Sequence, residues 1–212
     1  MTMPSRILLA DDHLIVRQGL KALLEHEGFA VVAEVGDGQE AVRVSRERRP
    51  DVVVLDFAMP LLNGLGAAGE ILRACSRTKA ILLTMHTEDH YVLEALRAGV
   101  RGYVVKTQAS ADLVRAINEV LRGTVYLSPG ISQAVVEAYL SKSEVPPDPL
   151  TAREREVLQL VAEGKSTKEI AKLQGISFKT AESHRTRIMR KTNIHGTAGL
   201  VRYAVRRGLI QL

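Results

Sequence analysis

Cysteine is nearly absent from these 212 residues: Cys75 stands alone, so no intramolecular disulfide can form. That suits a reducing compartment. Long apolar runs are missing too, and none approaches the length of a bilayer span. Met1 to Arg6 leads straight into a short apolar stretch, without a secretory h-region and cleavage site. The expectation is therefore a cytoplasmic protein with no membrane partner. No phosphate-binding P-loop pattern occurs, and Gly36-Asp37-Gly38 lacks the remaining glycine of a dinucleotide loop. Bias toward disorder is lacking as well: with 46% hydrophobic and 25% charged residues, the chain has the composition of ordinary globular domains. Its length suits one large domain or two small ones.

Charge is unevenly spread. Residues 151–212 hold 13 Lys/Arg against 5 Asp/Glu, a net of +8, whereas the preceding residues hold 16 against 19, a net of −3. A basic third behind a mildly acidic front suggests a polyanion-binding module attached to something else. The boundary is marked by Pro146, Pro147 and Pro149, which can continue neither a helix nor a central strand. This divides the chain into 1–125, a linker over 126–150 with a short helix, and 151–212.

Before the linker, five apolar runs read as buried parallel strands: Ile7–Ala10, Ala30–Val35, Val52–Leu55, Ala80–Thr84 and Gly102–Val105. Helical patterns lie between them. Val16, Leu20, Leu23 and Leu24 share one face before Gly28; Leu113, Ile117, Val120 and Leu121 share another, between Ser110 as N-cap and Gly123 as stop. The helix after Asn63 is weakly written, because Gly66 and Gly69 each cost about 1 kcal/mol in a helix interior. The alternation predicts an α/β fold with a doubly wound parallel sheet of five strands. After the linker the signals are helical only. Thr151 with Glu154 and Ser166 with Glu169 are capping-box pairs, Ser177 caps a third helix, and Gly196 precedes a fourth.

Polar residues sit just past the strand ends. Asp11 and Asp12 follow the first strand, Asp56 the third and Lys106 the fifth, while Thr84 ends the fourth. Open α/β sheets bind ligands at the carboxyl ends of their strands, so these residues should share one crevice. Three carboxylates together are costly unless a cation neutralises them. Mg²⁺, with oxygen ligands and retained water, fits that need. One carboxylate could then attack a phosphoryl group, with the ion and Lys106 stabilising charge on the transferring oxygens.

Residues 1 to about 125 resemble a response-regulator receiver domain, of flavodoxin-like fold. The resemblance rests on Leu8-Leu9-Ala10-Asp11-Asp12-His13, Val54-Leu55-Asp56-Phe57-Ala58-Met59-Pro60, Leu83-Thr84-Met85 and Gly102-Tyr103-Val104-Val105-Lys106. It implies that Asp56 accepts the phosphoryl group. Asp12 would bind Mg²⁺ directly, Asp11 mainly through water, and the Ala58 carbonyl would be a further ligand. Thr84 and Tyr103 would form a switch pair, with Tyr103 turning inward as Thr84 moves toward the phosphate.

From Phe178 to Thr192 one face carries Ala181, Ile188 and Met189, and the opposite face Lys179, Glu182, Ser183, Thr186, Arg187 and Arg190. Such a helix after a tight turn fits a DNA major groove. Leu150 to Leu158, Gly164 to Ala171 and Lys179 to Arg185 are similar to the LuxR-type helix-turn-helix, a small all-α four-helix domain. The two halves together resemble NarL/FixJ-class response regulators. That implies a histidine kinase as phosphodonor, double-stranded promoter DNA as target and a homodimer as the active form. Lys168, Lys179, Thr180, His184, Arg187 and Lys191 would mainly touch backbone phosphates; Glu182, Ser183 and Thr186 would face bases. Leu200, Val201 and Ala204 would form a dimer seam, unless they pack onto the domain's own core.

Two other functions are compatible with parts of the pattern: a constitutive or ligand-gated DNA-binding protein, and an enzyme turning over phosphate esters on Asp56. The intact Asp56, Thr84 and Lys106 oppose the first, and no pocket for an organic substrate is written in the sequence for the second. The reading is of a regulator rather than an enzyme. His86 and His90 have i, i+4 spacing but match neither zinc-protease order.

Overall fold

The computed structural model describes residues 3–85, 89–131 and 149–210. The remainder of the 126–150 linker, with its expected short helix, lies outside the described residues, as do the side chains of His86 and His90.

The N-terminal domain runs β1 (Arg6–Ala10), α1 (Leu14–His26), β2 (Ala30–Val35), α2 (Gly38–Arg48), β3 (Val52–Asp56), α3 (Gly64–Ala74), β4 (Lys79–Thr84), α4 (Asp89–Arg97), β5 (Gly102–Val105), α5 (Ala109–Leu121) and β6 (Tyr126–Leu127). All strand pairs are parallel and the order is β2-β1-β3-β4-β5-β6. The sheet thus has six strands, not the five expected. β6 adds two residues at the edge, pairing Tyr126 with Gly102 and Leu127 with Tyr103. A two-residue strand has no readable period. It is held by tertiary bonds instead: Ser128 Oγ accepts from Val105 N at 3.1 Å and donates to Asp112 Oδ2 at 2.6 Å.

Alternating side chains of the central strands point to opposite faces. Leu8, Ala10, Val53 and Leu55 face α2 and α3; Ile7, Leu9, Val52 and Val54 face α1 and α5. Helix α3 forms despite its glycines. Asn63 caps it, its Oδ1 accepting from Gly66 N at 2.8 Å. A Cβ on Gly64 would lie 2.1 Å from the Asp56 carbonyl oxygen, so the glycine lets α3 start directly against β3. Gly64→Ala is expected to destabilise the domain by about 3 kcal/mol, the upper end of ordinary overpacking, read from the urea midpoint.

The C-terminal domain consists of α6 (Ala152–Ala162), α7 (Thr167–Leu173), α8 (Phe178–Thr192) and α9 (Thr197–Arg206). Both capping boxes form, at Thr151/Glu154 and Ser166/Glu169. Val157, Leu158, Leu160, Ile170, Ala181, Ile188, Leu200 and Ala204 make its core. Among the described residues no helix is long and apolar enough to cross a membrane.

The two domains are docked. Helix α6 lies on the β3–α3 loop, where Gln159 and Glu163 bond to the backbone. Arg155 pairs with Glu94 of α4, and the Tyr91 hydroxyl donates to the Arg206 carbonyl at 2.9 Å.

Candidate phosphoryl site and nucleic-acid interface

The parallel sheet brings the strand-end residues together at the β1/β3 switch point. Asp11 and Asp56 are both 1% exposed, and the Asp12 side chain stays partly in solvent. One ligand atom from each of Asp11, Asp12, His13 and Asp56 lies within 4.8 Å of the others. Lys106 Nζ sits 3.0 Å from Asp11 Oδ2 and 2.9 Å from Asp56 Oδ1. Apart from that contact with Lys106, both Asp56 oxygens are buried without a hydrogen-bond partner among the described residues.

Electrostatics follow from this enclosure. Burial pushes the Asp56 carboxyl up to about 6; Lys106 opposes the shift, while Asp11 and Asp12 add to it. Burial pulls the Lys106 ammonium down, but the Asp56 and Asp11 carboxylates outweigh it and hold it above the ordinary lysine value. A buried carboxylate with little besides Lys106 to bind its oxygens, beside two further carboxylates, fits a hard divalent cation with oxygen ligands. His13 was not singled out by sequence reasoning. It follows the Asp-Asp pair directly, and its Nδ1 lies 2.8 Å from Asp12 Oδ1 while its backbone N–H donates to Asp11 Oδ1 at 2.8 Å.

Thr84 ends β4 beside the site and is 1% exposed. Tyr103 has no exposed surface; its ring lies inward, among the side chains that include Tyr91, Val92 and Leu96. Phe57 meets Tyr91 edge to face, with ring centroids 5.3 Å apart. Ala58 is buried in the β3–α3 loop.

On the C-terminal domain, Lys168, Lys179, Thr180, Glu182, Thr186 and Arg187 are exposed, and Ser183 and His184 are half-buried. Docking through α6 and the end of α9 leaves the polar face of α8 open. His184 is held below the ordinary histidine value by burial first, then by Arg187 and Arg153, so its ring is neutral near pH 7. Lys191 pairs instead with buried Glu154, 2.6 Å away. Burial alone would raise the Glu154 carboxyl, but Lys191 and the Thr151 N–H and hydroxyl hold it below the ordinary value. Its contribution is therefore complete above the ordinary carboxylate range and is lost as pH falls through the depressed value. Glu154→Ala is expected to cost the C-terminal domain about 1–2 kcal/mol in urea unfolding near neutral pH, from the lost capping box. Leu200 and Ala204 are fully buried in their own domain's core; of the three seam residues only Val201 keeps exposed surface.

Residues 7–118 match the response regulator receiver domain family, and residues 148–204 match the luxR family of bacterial regulatory proteins. The chain belongs to the two-component response regulators. It is 36% identical to the transcriptional regulatory protein MctR of Rhizobium johnstonii, over 97% of this chain and 95% of that protein. It is also 36% identical to the response regulator UvrY of Escherichia coli, over 96% and 94% of the two chains. Among solved structures, RcsB of Salmonella typhimurium matches with a TM-score of 0.68 at 27% identity, covering 99% of this response regulator and all of that chain. An RcsB–DNA complex matches with a TM-score of 0.59 at 28% identity, covering 95% and 98%. The pocket and the open α8 face are thus the receiver site and the helix-turn-helix of a response regulator, and the relatives are regulators rather than enzymes.

Proposed function

We infer that a partner histidine kinase phosphorylates Asp56 in the cytoplasm, and that this switches sequence-specific binding of a homodimer to promoter DNA. The observation that carries the reading is the buried Asp56, with Lys106 on one side and Asp11 and Asp12 on the other. In the transfer, an Asp56 oxygen forms the new bond to phosphorus as the phosphorus–nitrogen bond of a phosphohistidine breaks, its electron pair returning to the imidazole. Mg²⁺ held by Asp11, Asp12, Asp56 and the Ala58 carbonyl would neutralise the carboxylates and the incoming oxygens. Lys106 supplies a fixed positive charge already in place, and Thr84 a hydroxyl at the pocket's edge.

Because the docked arrangement leaves the DNA-reading face open, direct masking of α8 is not needed to explain a resting state. The phosphate acts on the surface around Tyr103 and α4, which the C-terminal domain partly covers, and so on docking and dimerisation. DNA binding is supported by the RcsB–DNA complex among its structural relatives. Gel shifts with promoter DNA found by genomic footprinting test the reading. Acetyl phosphate with Mg²⁺ should tighten binding by the parent, and indifference to the donor would overturn the switch.

A further inference from the structure

The β3–α3 loop carries the Ala58 carbonyl at its start and caps α3 with Asn63 at its end. Within the receiver its backbone ties are at its two ends and at Pro60: Phe57 N donates to the Leu83 carbonyl at 2.8 Å, Gly64 N to the Phe57 carbonyl at 2.8 Å, Leu62 N to the Pro60 carbonyl at 2.7 Å, and Gly38 N to the same carbonyl at 3.4 Å. Among the described residues, three other loop groups find partners only on α6 of the C-terminal domain and on Glu163, which caps its C-terminus. Gln159 Nε2 donates to the Met59 carbonyl at 2.7 Å, and its Oε1 accepts from Asn63 N at 2.9 Å. Glu163 Oε1 accepts from Leu61 N at 3.0 Å and from Gln159 Nε2 at 2.9 Å.

Gln159 is a polar residue with no exposed surface, and both ends of its amide are spent on the other domain's backbone. The clamped segment is also strained. Leu61 sits at φ 66°, in the left-handed region that costs a non-glycine residue about 1–2 kcal/mol, and its side chain packs against the C-terminal core. Such a conformation persists only where surrounding contacts over-determine it.

We propose that Gln159 and Glu163 are positioning residues for the phosphoryl site, holding the loop so that the Ala58 carbonyl is fixed before the metal arrives. The proposal rests on the reading of Asp56 as a Mg²⁺-dependent phosphoryl acceptor. A preorganised ligand needs no ordering on binding, so the clamp tightens Mg²⁺. By linkage, Mg²⁺ equally favours the docked domains. The output domain thereby helps to build the receiver's own site.

The test uses the full chain and three variants. Gln159→Leu keeps volume and removes both amide bonds, Glu163→Ala removes the Leu61 bond, and Glu163→Gln keeps an acceptor there. Backbone hydrogen exchange is read at Leu61 and Asn63 in metal-free protein, Mg²⁺ affinity by calorimetry, and phosphate uptake from acetyl phosphate against Mg²⁺ concentration. Gln159→Leu should lose protection at Asn63 and weaken Mg²⁺ by about fivefold, the size expected for a lost hydrogen bond. The Mg²⁺ needed for half-maximal uptake should rise by the same factor, with the saturating rate unchanged. Glu163→Ala should act likewise through Leu61, and Glu163→Gln should recover most of the parent affinity. Should Gln159→Leu fail to fold, the two Glu163 variants decide the matter alone. Lost amide protection with unchanged or tighter Mg²⁺ would overturn the proposal, leaving a simple tether between domains. A parent that binds Mg²⁺ but takes up no phosphate would instead sink the reading of Asp56, while the affinity comparison still stands.

Discussion

Asp56→Asn is expected to take up no phosphate at all. Intact-mass spectra of the parent, treated with acetyl phosphate and Mg²⁺, should show one added phosphoryl group; the variant should show none. The amide is nearly the carboxylate's shape but has no ionised oxygen to attack phosphorus. Loss of fold is not available as an explanation. Burial raises the Asp56 carboxyl from 3.8 to about 6, so the folded state favours its protonated form. A raised acid binds more protons folded than unfolded, and its contribution to stability falls as pH climbs between those two values. At neutral pH the ionised group then costs the metal-free protein roughly 3 kcal/mol. Asn carries no charge, so the metal-free variant should melt above the parent near pH 7 and lose that advantage below about pH 4. A more stable protein that cannot be phosphorylated separates the chemistry from the scaffold. Phosphate uptake by Asp56→Asn at the parent's rate would place the acceptor elsewhere.

The receiver pocket was legible because its residues interrupt apolar strands at one end. Asp11, Asp56 and Lys106 are each one step past a run of buried aliphatic residues, and parallel strands must line those ends up. The helix-turn-helix was legible because its caps are local: Ser166 and Glu169 are three residues apart. What escaped depends on distance. The partnership of Lys191 with Glu154 joins α8 to the start of α6, so a lysine expected on phosphate also carries a bond within its own domain. Leu200 and Ala204 have the i, i+4 spacing that serves a dimer seam or a core equally, and only packing chooses between them. Gln159 sits beside Leu158, Leu160 and Val161, where a polar residue reads as an interruption of a core helix; its partners are in the other domain. Gly66 and Gly69 weaken α3 as a helix, yet its first residue, Gly64, is what admits the helix against the Asp56 backbone, a constraint visible only in three dimensions.

DNA affinity should collapse with salt, and the structure narrows which side chains set the slope. Lys168, Lys179, Arg187 and Arg190 are exposed on the C-terminal domain. Lys191 is engaged by Glu154, and His184 is held neutral by burial and by Arg187 and Arg153. A dimer then brings about eight cations to phosphates, enough to lose about 10³–10⁵ in affinity between about 50 and 200 mM salt. Lys179→Ala should lower the slope of log affinity against log salt by about one per domain and weaken all sequences alike. Lys191→Ala should barely change that slope, because its charge is already neutralised by Glu154, and should instead lower domain stability. Glu182→Ala should leave the slope unchanged but relax preference at the base it faces, for which a cytosine amino group is the matching donor. Fluorescence anisotropy across a salt series measures all three. A parent whose affinity barely moves with salt, or a Lys191→Ala slope that falls as far as that of Lys179→Ala, would remove α8 and its cation set from the account of DNA binding.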